Sequence, residues 1–183
     1  MTHKQALLII DVQVGLINFP KASLYEPEKV LNNIKMLIKK ARESKVPVIY
    51  VQHQTRGKNS YLHKSSPNWL IHPEITPLKT DVIIHKRFND SFKETELNSF
   101  LKENKIKKLF ICGLQTEFCV DTTVRQAFSL DYDVVVVEDA HSTYDSDILK
   151  SHEIIAHHNH IFNGRFAELQ KASKIRFSDK EER

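Results

Sequence analysis

The sequence contains little glycine, only two cysteines and no long hydrophobic run. Its four glycines, at positions 15, 57, 113 and 164, do not fall into a G-x-G-x-x-G or P-loop spacing, which argues against nucleotide binding. Two cysteines cannot build a disulfide framework. No apolar stretch approaches the roughly 20 residues of a membrane span, and the N-terminal apolar run is too short for a signal peptide. We therefore expect a cytoplasmic protein without a membrane partner, since a free thiol persists in a reducing cytoplasm.

The charge balance gives little support for a nucleic-acid partner. The 183 residues carry a formal net charge of +4, with a pI of about 9.0. Basic segments such as residues 102–108 have the composition of solvated helix ends, and no stripe of mixed basic and aromatic residues accompanies them. We therefore expect no nucleic-acid partner. The length suits one core, so we expect residues 1–183 to form a single domain.

Short apolar segments alternate with helical patterns along the chain. Strands are predicted at 6–10, 48–51, 82–85, 109–112 and 134–137, and helices at 28–44, 95–104, 118–128 and 147–158. The alternation predicts an α/β fold of three layers, with a mostly parallel, doubly wound (Rossmann-like) sheet of about six strands. Weaker patterns predict an edge strand at 160–162, a helix at 164–172 and a charged, frayed tail at 175–183.

A thiol lies where the fourth predicted strand gives way to a helix. Residues 107–124 read KKLFICGLQTEFCVDTTV, which places Cys119 in the first helical turn. The unpaired N–H groups and the dipole of that turn favour a thiolate, so we expect the pKa of Cys119 to lie below the ordinary value of about 8.5. A small thiol buried in the core is an equally good interpretation of this stretch taken alone.

Two further reactive residues occupy equivalent places in the chain. Asp11 ends the first predicted strand and Lys86 ends the third, so both should lie with Cys119 along one edge of a parallel sheet. A carboxylate there can accept the proton of a thiol, and an ammonium stabilises both groups. Taken singly, Asp11 could be a turn residue and Lys86 could point to solvent. Together they predict an Asp-Lys-Cys catalytic triad.

Four segments resemble the isochorismatase-like cysteine hydrolases, a family that includes nicotinamidases and N-carbamoylsarcosine amidases. The segments are LLIIDVQ at 7–13, VIIHKRFNDSF at 82–92, CGLQTEFCVDTTVRQA at 112–127 and VVVVEDAHST at 134–143. The resemblance places the family's triad on Asp11, Lys86 and Cys119. It also implies an oxyanion hole formed by the backbone amides of Gln115 and Cys119, with a cis peptide bond between Leu114 and Gln115.

The resemblance also implies an activity. The expected reaction is hydrolysis of a small-molecule amide through a thioester on Cys119, with Asp11 moving the protons and ammonia or an amine leaving. Members that cleave isochorismate do not need a nucleophilic cysteine, so Cys119 favours amidase chemistry. We expect no cofactor, a small-molecule amide as substrate, and a homo-oligomer, either a dimer or a tetramer.

Two alternatives remain open at this point. Nicotinamidases carry an Asp-x-His metal pair after the second strand, but here the corresponding residues are Val51, Gln52 and His53, so we expect no metal there. The C-terminal histidines lack zinc-motif spacing and have the pattern of a solvated helix end; they are His152, His157, His158 and His160. Nicotinamidase activity is one alternative, and a non-catalytic thiol redox or binding module using Cys112 and Cys119 is the other.

The substrate pocket is the least defined feature of the sequence. Residues 54–80 form a long irregular segment, which suits a lid or pocket wall and equally a decorated connection. The candidate substrate-binding residues lie near the predicted strand ends and in the loops; they are Gln13, Trp69, Phe88, Phe92, Phe118 and Tyr144. For each aromatic residue, packing in the core is an equally good interpretation.

Overall fold

Six parallel strands form one sheet in the computed structural model, which describes residues 4–178. The strands are β1 (Lys4–Ile10), β2 (Val48–His53), β3 (Val82–Lys86), β4 (Ile106–Leu114), β5 (Asp133–Ser142) and β6 (Glu168–Gln170). Their order in the sheet is β3-β2-β1-β4-β5-β6. The chain winds outward from β1 in both directions, so a switch point lies between β1 and β4. This confirms the predicted doubly wound α/β class.

Helices cover both faces of the sheet. They are α1 (Val14–Ile17), α2 (Pro27–Glu43), α3 (Leu97–Glu103), α4 (Asp121–Ser129) and α5 (Ser151–Phe162). Alternate strand residues point to opposite faces, so Leu7 and Ile9 pack in a core with α2, whereas Leu8 and Ile10 pack with α3 and α4. None of the helices within residues 4–178 combines the length and the apolarity needed to cross a bilayer.

Apolar periodicity located α2 correctly, but it placed α5 too early. The predicted stripe of α2 is buried along its length, and Pro27 occupies the first helical position, where its missing N–H costs nothing. The structure begins α5 at Ser151, not at residue 147. The reason is local capping, because Asp145 accepts hydrogen bonds from the backbone and hydroxyl of Ser151, both at 2.9 Å.

The C-terminal elements differ from the prediction. Residues 160–162 complete α5, so the predicted edge strand there is wrong, and residues 164–172 contain β6 and not a helix. Gly164 adopts a φ of +70° just past α5, and β6 then pairs with the open edge of β5. Strand pairing therefore overrides the weak helical pattern. Ile175 and Phe177 are buried, so that part of the tail packs on the sheet; residues 179–183 lie outside the described chain.

Gly113 allows the central strands to approach closely at the edge that carries the candidate residues. It pairs with Ile10 and has a φ of +122°, and an added Cβ would lie 2.0 Å from the Ile10 carbonyl oxygen. Only glycine fits this position without moving one of the two strands. The contact places the chain that leaves β4 beside Asp11, the residue after β1.

Replacing Gly113 with alanine should therefore destabilise the protein far more than the same change at Gly164. Both residues have a positive φ, but no atom of residues 4–178 lies within 4 Å of a Cβ at Gly164. We expect a loss of about 1–2 kcal/mol for Gly164→Ala, from the left-handed backbone alone, and more than about 3 kcal/mol for Gly113→Ala. Urea unfolding of both variants measures the difference, and equal losses would show that the Ile10 contact imposes no steric limit.

Candidate active site

Asp11 and Lys86 form an ion pair that is completely buried. Asp11 follows β1 in a left-handed conformation (φ +51°), and its Oδ2 lies 2.8 Å from Nζ of Lys86, with neither side chain exposed. The ammonium also donates to the carbonyls of Phe88 at 3.0 Å and Asn89 at 3.1 Å. All three of its hydrogens therefore have acceptors, which fixes the ammonium in place. Burial lowers the pKa of Lys86, but Asp11 and then Cys119 outweigh this, and the pKa is raised.

Cys119 faces this ion pair from a π-helical turn. The turn, Thr116–Val120, precedes α4, and its wide form is closed by the Val120 N–H, which donates to the Gln115 carbonyl at 3.1 Å. The Cys119 thiol points to Asn89 Oδ1 at 3.7 Å, and its sulfur lies within 4.8 Å of a carboxylate oxygen of Asp11. The structure thus brings the three predicted triad residues together, although their catalytic role remains a prediction.

The expected acidity of Cys119 is wrong for this arrangement. Burial raises the pKa of the thiol well above its ordinary value, and the Asp11 carboxylate raises it further. The Lys86 ammonium acts in the opposite direction without cancelling them. Desolvation of the thiolate therefore outweighs the favourable backbone position on which the expectation depended. The thiol is protonated at neutral pH, and a reaction must move that proton as it begins.

A buried polar chain anchors the turn that carries Cys119. The peptide bond between Leu114 and Gln115 is cis, as predicted. Thr116 Oγ1 lies 2.9 Å from Nδ1 of His141, and Nε2 of His141 lies 2.9 Å from Oδ1 of Asn159. Because the Asn159 oxygen only accepts, Nε2 must carry the proton and Nδ1 must accept from Thr116. Burial lowers the pKa of His141 to about 4, so this ring is neutral at pH 7.

His53 is a site residue that sequence reasoning did not assign. It ends β2, between Asp11 and Lys86, and a ring nitrogen lies within 4.8 Å of both the Asp11 carboxylate and the Cys119 sulfur. Burial lowers its pKa, which Asp11 offsets only in part. Its Nδ1 atom is buried and has no hydrogen-bond partner among residues 4–178. Its place at the end of a predicted strand could have assigned it to the site. From the sequence, His53 was considered only as part of an incomplete Asp-x-His metal pair.

Gln13 does not have the role predicted for it. Its side chain is fully buried, and its Nε2 donates to the carbonyls of His53 at 3.1 Å and Trp69 at 2.7 Å. Its Oε1 accepts from the His53 N–H at 2.9 Å. The amide is therefore occupied within the protein, and we revise Gln13 from a substrate-binding residue to one that positions His53 and the long segment. Gln52 donates to the same Trp69 carbonyl at 2.8 Å.

Two of the aromatic candidates pack in the core instead of facing the site. Phe92 is buried and stacks on Tyr132, with ring centroids 5.9 Å apart. Tyr144 is also buried, donates its hydroxyl to the Leu16 carbonyl and packs against Phe19 at 5.5 Å. For both residues the core interpretation is correct, because apolar neighbours enclose their rings.

The other three aromatic candidates are half-buried or exposed. Trp69 is half-buried and packs against the His85 ring, with centroids 5.4 Å apart. Phe88 is half-buried beside a cavity of about 330 Å³, which Lys86 also lines. Phe118 precedes the thiol and is 48% exposed. A second cavity, of about 520 Å³, lies between Phe128 and Phe166 and includes none of the triad residues.

The two cysteines lie in different cores. Cys112 is fully buried on the face of the sheet that α2 covers, whereas Cys119 packs on the opposite face with α3 and α4. Both thiols are free. A disulfide between them would require β4 to be pulled apart, because the sheet separates the two side chains. This arrangement argues against the redox alternative.

The nicotinamidase metal pair is incomplete in this chain, because Val51 stands in place of its first ligand although His53 is present. Val51 is an apolar core residue, and the Gln52 amide is engaged with Trp69 and with the His85 ring at 3.1 Å. A metal bound in that manner does not fit these residues. Within residues 4–178, the one group of three potential metal ligands is Asp11, His53 and Cys119. The C-terminal histidines form no such group.

Comparison with known proteins assigns the chain to a family. The model of the isochorismatase domain matches residues 5–163. An isochorismatase family protein of known crystal structure superimposes with a TM-score of 0.86 at 36% identity, over 93% of this chain and all of that one. The chain is also 37% identical over 139 residues to the isochorismatase family protein YddQ of Bacillus subtilis, covering 75% of this chain and 77% of YddQ.

Two more distant relatives have named activities. Streptothricin hydrolase of Streptomyces noursei is 32% identical over 142 residues, which are 77% of this chain and 50% of that enzyme. The ureidoacrylate amidohydrolase RutB of Cronobacter turicensis is 26% identical over 172 aligned residues, covering 75% of this chain and 74% of RutB. With the fold and the matched domain, these similarities show that the chain belongs to the isochorismatase family of hydrolases.

Proposed function

We propose that this hydrolase cleaves the C–N bond of a small-molecule amide through a covalent thioester on Cys119, releasing ammonia or an amine. The observation that carries the proposal is the convergence of a thiol, a carboxylate and an ammonium at the carboxyl edge of the sheet. Asp11 and Lys86 are paired at 2.8 Å, and the sulfur of Cys119 lies within 4.8 Å of Asp11. A nucleophile beside a base that a third group orients is the usual arrangement for covalent catalysis.

The first half of the reaction forms the thioester. Asp11 accepts the thiol proton as the sulfur attacks the amide carbonyl carbon, and it returns that proton to the nitrogen as the C–N bond breaks. The Lys86 ammonium stabilises the thiolate as it forms, because an opposite charge nearby favours the ionised state. The predicted oxyanion donors, the amides of Gln115 and Cys119, would each supply about 3 kcal/mol of transition-state stabilisation.

The second half releases the acid. Asp11, again a carboxylate, takes a proton from water as the water oxygen attacks the thioester carbon. The C–S bond then breaks, and the proton returns to the Cys119 sulfur. Asp11 thus acts as the base in both halves of the reaction. Lys86 holds its carboxylate in one position, so the same group can serve both steps.

Relatives and residues both favour amide hydrolysis over the alternatives. RutB is an amidohydrolase and streptothricin hydrolase is a hydrolase by name, which supports C–N chemistry without identifying a substrate. Nicotinamidase activity is disfavoured by Val51 and Gln52, and a redox module is disfavoured by the position of Cys112. Trp69, Phe88 and Phe118 remain the proposed pocket wall.

We also propose that the chain works as a homo-oligomer in the cytoplasm. The family resemblance implies a dimer or tetramer, and several apolar side chains offer surface that an assembly would cover. Ile148 is 90% exposed, and Phe118 and Leu149 are exposed as well. An assembly that covers Phe118 would place a neighbouring subunit beside the thiol.

Ammonia release from a panel of primary amides and ureido compounds tests the function. We expect at least one compound to be hydrolysed, with a transient mass adduct of the acyl group on Cys119. Cys119→Ala should lower kcat/KM by at least about a thousandfold, because it removes the nucleophile. Cys112→Ser is the matched control and should retain activity. Turnover that survives in Cys119→Ala would exclude the thioester route.

Replacing Lys86 with methionine should make the Cys119 thiol less reactive. Lys86 lowers the pKa of Cys119, so removing the ammonium should raise it further and move the alkylation profile to higher pH. One additional pKa unit corresponds to about tenfold slower alkylation at neutral pH. The rate of iodoacetamide labelling is measured against pH in a Cys112→Ser background with EDTA present.

Lys93→Met is the control for this experiment, because it removes an exposed lysine from the same loop. Lys93 lies over the Phe88 ring at 4.2 Å and outside the ion pair. Since removing one partner of a buried ion pair costs about 3–5 kcal/mol, circular dichroism must first show that Lys86→Met is folded. Superimposable profiles for the folded variant and the parent would remove Lys86 from the proposed triad.

Activity should survive exhaustive chelation. No step of the proposed reaction uses a metal, and the nicotinamidase pair lacks its first ligand, because Val51 replaces the aspartate. Turnover is measured before and after dialysis against EDTA, with the residual metal content determined by mass spectrometry. Loss of turnover on chelation, with recovery on adding zinc, would show that the reaction depends on a metal.

A further inference from the structure

Asp11, His53 and Cys119 present three different metal-ligating atoms to one small volume. An oxygen, a nitrogen and a sulfur lie within 4.8 Å of one another, each from a different strand end or turn. The Asp11 side chain is completely buried; the Lys86 ammonium holds its Oδ2 at 2.8 Å, and its Oδ1 has no hydrogen-bond partner among residues 4–178. Nδ1 of His53 is likewise buried and unpartnered there. Buried polar atoms without partners are rare and need an explanation.

We infer that these three side chains form a site for one zinc-like divalent cation, which reversibly blocks the Cys119 thiol. Thiolate, imidazole and carboxylate are the three ligand types that zinc takes in proteins, at about 2.0–2.3 Å. Of the nicotinamidase Asp-x-His pair, this set contains only the histidine, His53. The cation inhibits because it occupies the sulfur and carboxylate that the proposed reaction needs, so the inhibition rests on the proposed function, whereas binding does not.

The distances suit a four-coordinate ion after small side-chain rotations. Tetrahedral ligands at these bond lengths lie about 3.4–3.6 Å apart, so atoms within 4.8 Å of one another need to move inward by about 1 Å. Asn89 Oδ1, at 3.7 Å from the Cys119 sulfur, already has the separation of a fourth ligand. The three ligands come from separate elements: Asp11 follows β1, His53 ends β2 and Cys119 lies in the π-helical turn.

Charge determines which cations the site accepts. Binding displaces the thiol proton, so thiolate and carboxylate together balance a 2+ ion while His53 stays neutral. The Lys86 ammonium opposes any cation, but it is tied to Asp11 Oδ2 and to two carbonyls, which leaves Oδ1 for the metal. A hard ion such as Mg²⁺ gains little from sulfur, whereas zinc, cobalt and cadmium gain enough to overcome the repulsion.

Cobalt binding tests the site directly, because a thiolate ligand gives cobalt a charge-transfer absorption in the near ultraviolet. The metal-free, full-length Cys112→Ser protein is titrated with Co²⁺, and zinc affinity is obtained by displacement. We expect one ion per chain, no competition from Mg²⁺, and loss of the band in Cys119→Ser. His53→Leu should weaken binding by about tenfold to a hundredfold. His72→Leu should leave it unchanged, because His72 is another buried histidine whose Nδ1 has no partner in the described part of the chain, and it lies beside Glu74 and outside the cluster.

Protection of the thiol gives a second readout that does not depend on turnover. Zinc should slow iodoacetamide labelling of Cys119 in the parent and in His72→Leu, but at least tenfold less effectively in His53→Leu. His53→Asn serves if the leucine variant does not fold. A band that is unchanged in His53→Leu and His53→Asn, or labelling that zinc does not slow, would overturn the site. If zinc protects the thiol but no amide is hydrolysed, the metal site stands and the proposed function fails.

Discussion

The buried ion pair between Asp11 and Lys86 is the constraint on which the site depends. Their strands are not neighbours, because β2 lies between β1 and β3, so the lysine side chain must reach across the end of β2. Burying two charges costs several kcal/mol per ion, and the cost is recovered only with close geometry and further hydrogen bonds. The Phe88 and Asn89 carbonyls supply those bonds to Lys86.

The glycine contact in the middle of the sheet brings the Cys119 thiol to that pair. Gly113 lets β4 approach Ile10, and the turn after β4 then places Cys119 beside Asp11. Burial and the carboxylate raise the pKa of Cys119, while Lys86 opposes them. The thiol is thus kept protonated beside the Asp11 carboxylate, the base of the proposed reaction.

The convergence of Asp11, Lys86 and Cys119 could be predicted from the sequence because it depends only on the order and direction of the strands. In a parallel sheet every strand's carboxyl end meets the same edge, so Asp11, Lys86 and Cys119 could be placed together without side-chain geometry. Gln13 and Tyr144 could not be assigned in the same way, because their roles depend on which carbonyls their polar atoms reach. The strand β6 was missed for a similar reason, since pairing with β5 decides its conformation. The acidity of Cys119 was misjudged because local backbone position says nothing of burial.

His53 shows why a residue type and its position must be considered together. Its backbone is fixed by both ends of the Gln13 amide, which also holds the Trp69 carbonyl, so the end of β2 is tied to the long segment 54–80. A neutral imidazole beside a carboxylate and a thiol suits both proton chemistry and metal binding. Proton transfer and metal binding compete for the lone pairs of the His53 ring and the Asp11 carboxylate, and for the Cys119 sulfur. Lys86 favours the first, because its charge stabilises a forming thiolate and repels a cation. A site that held zinc permanently would be better served without that lysine, so the buried ammonium favours the proposed catalytic role of these residues over a structural metal.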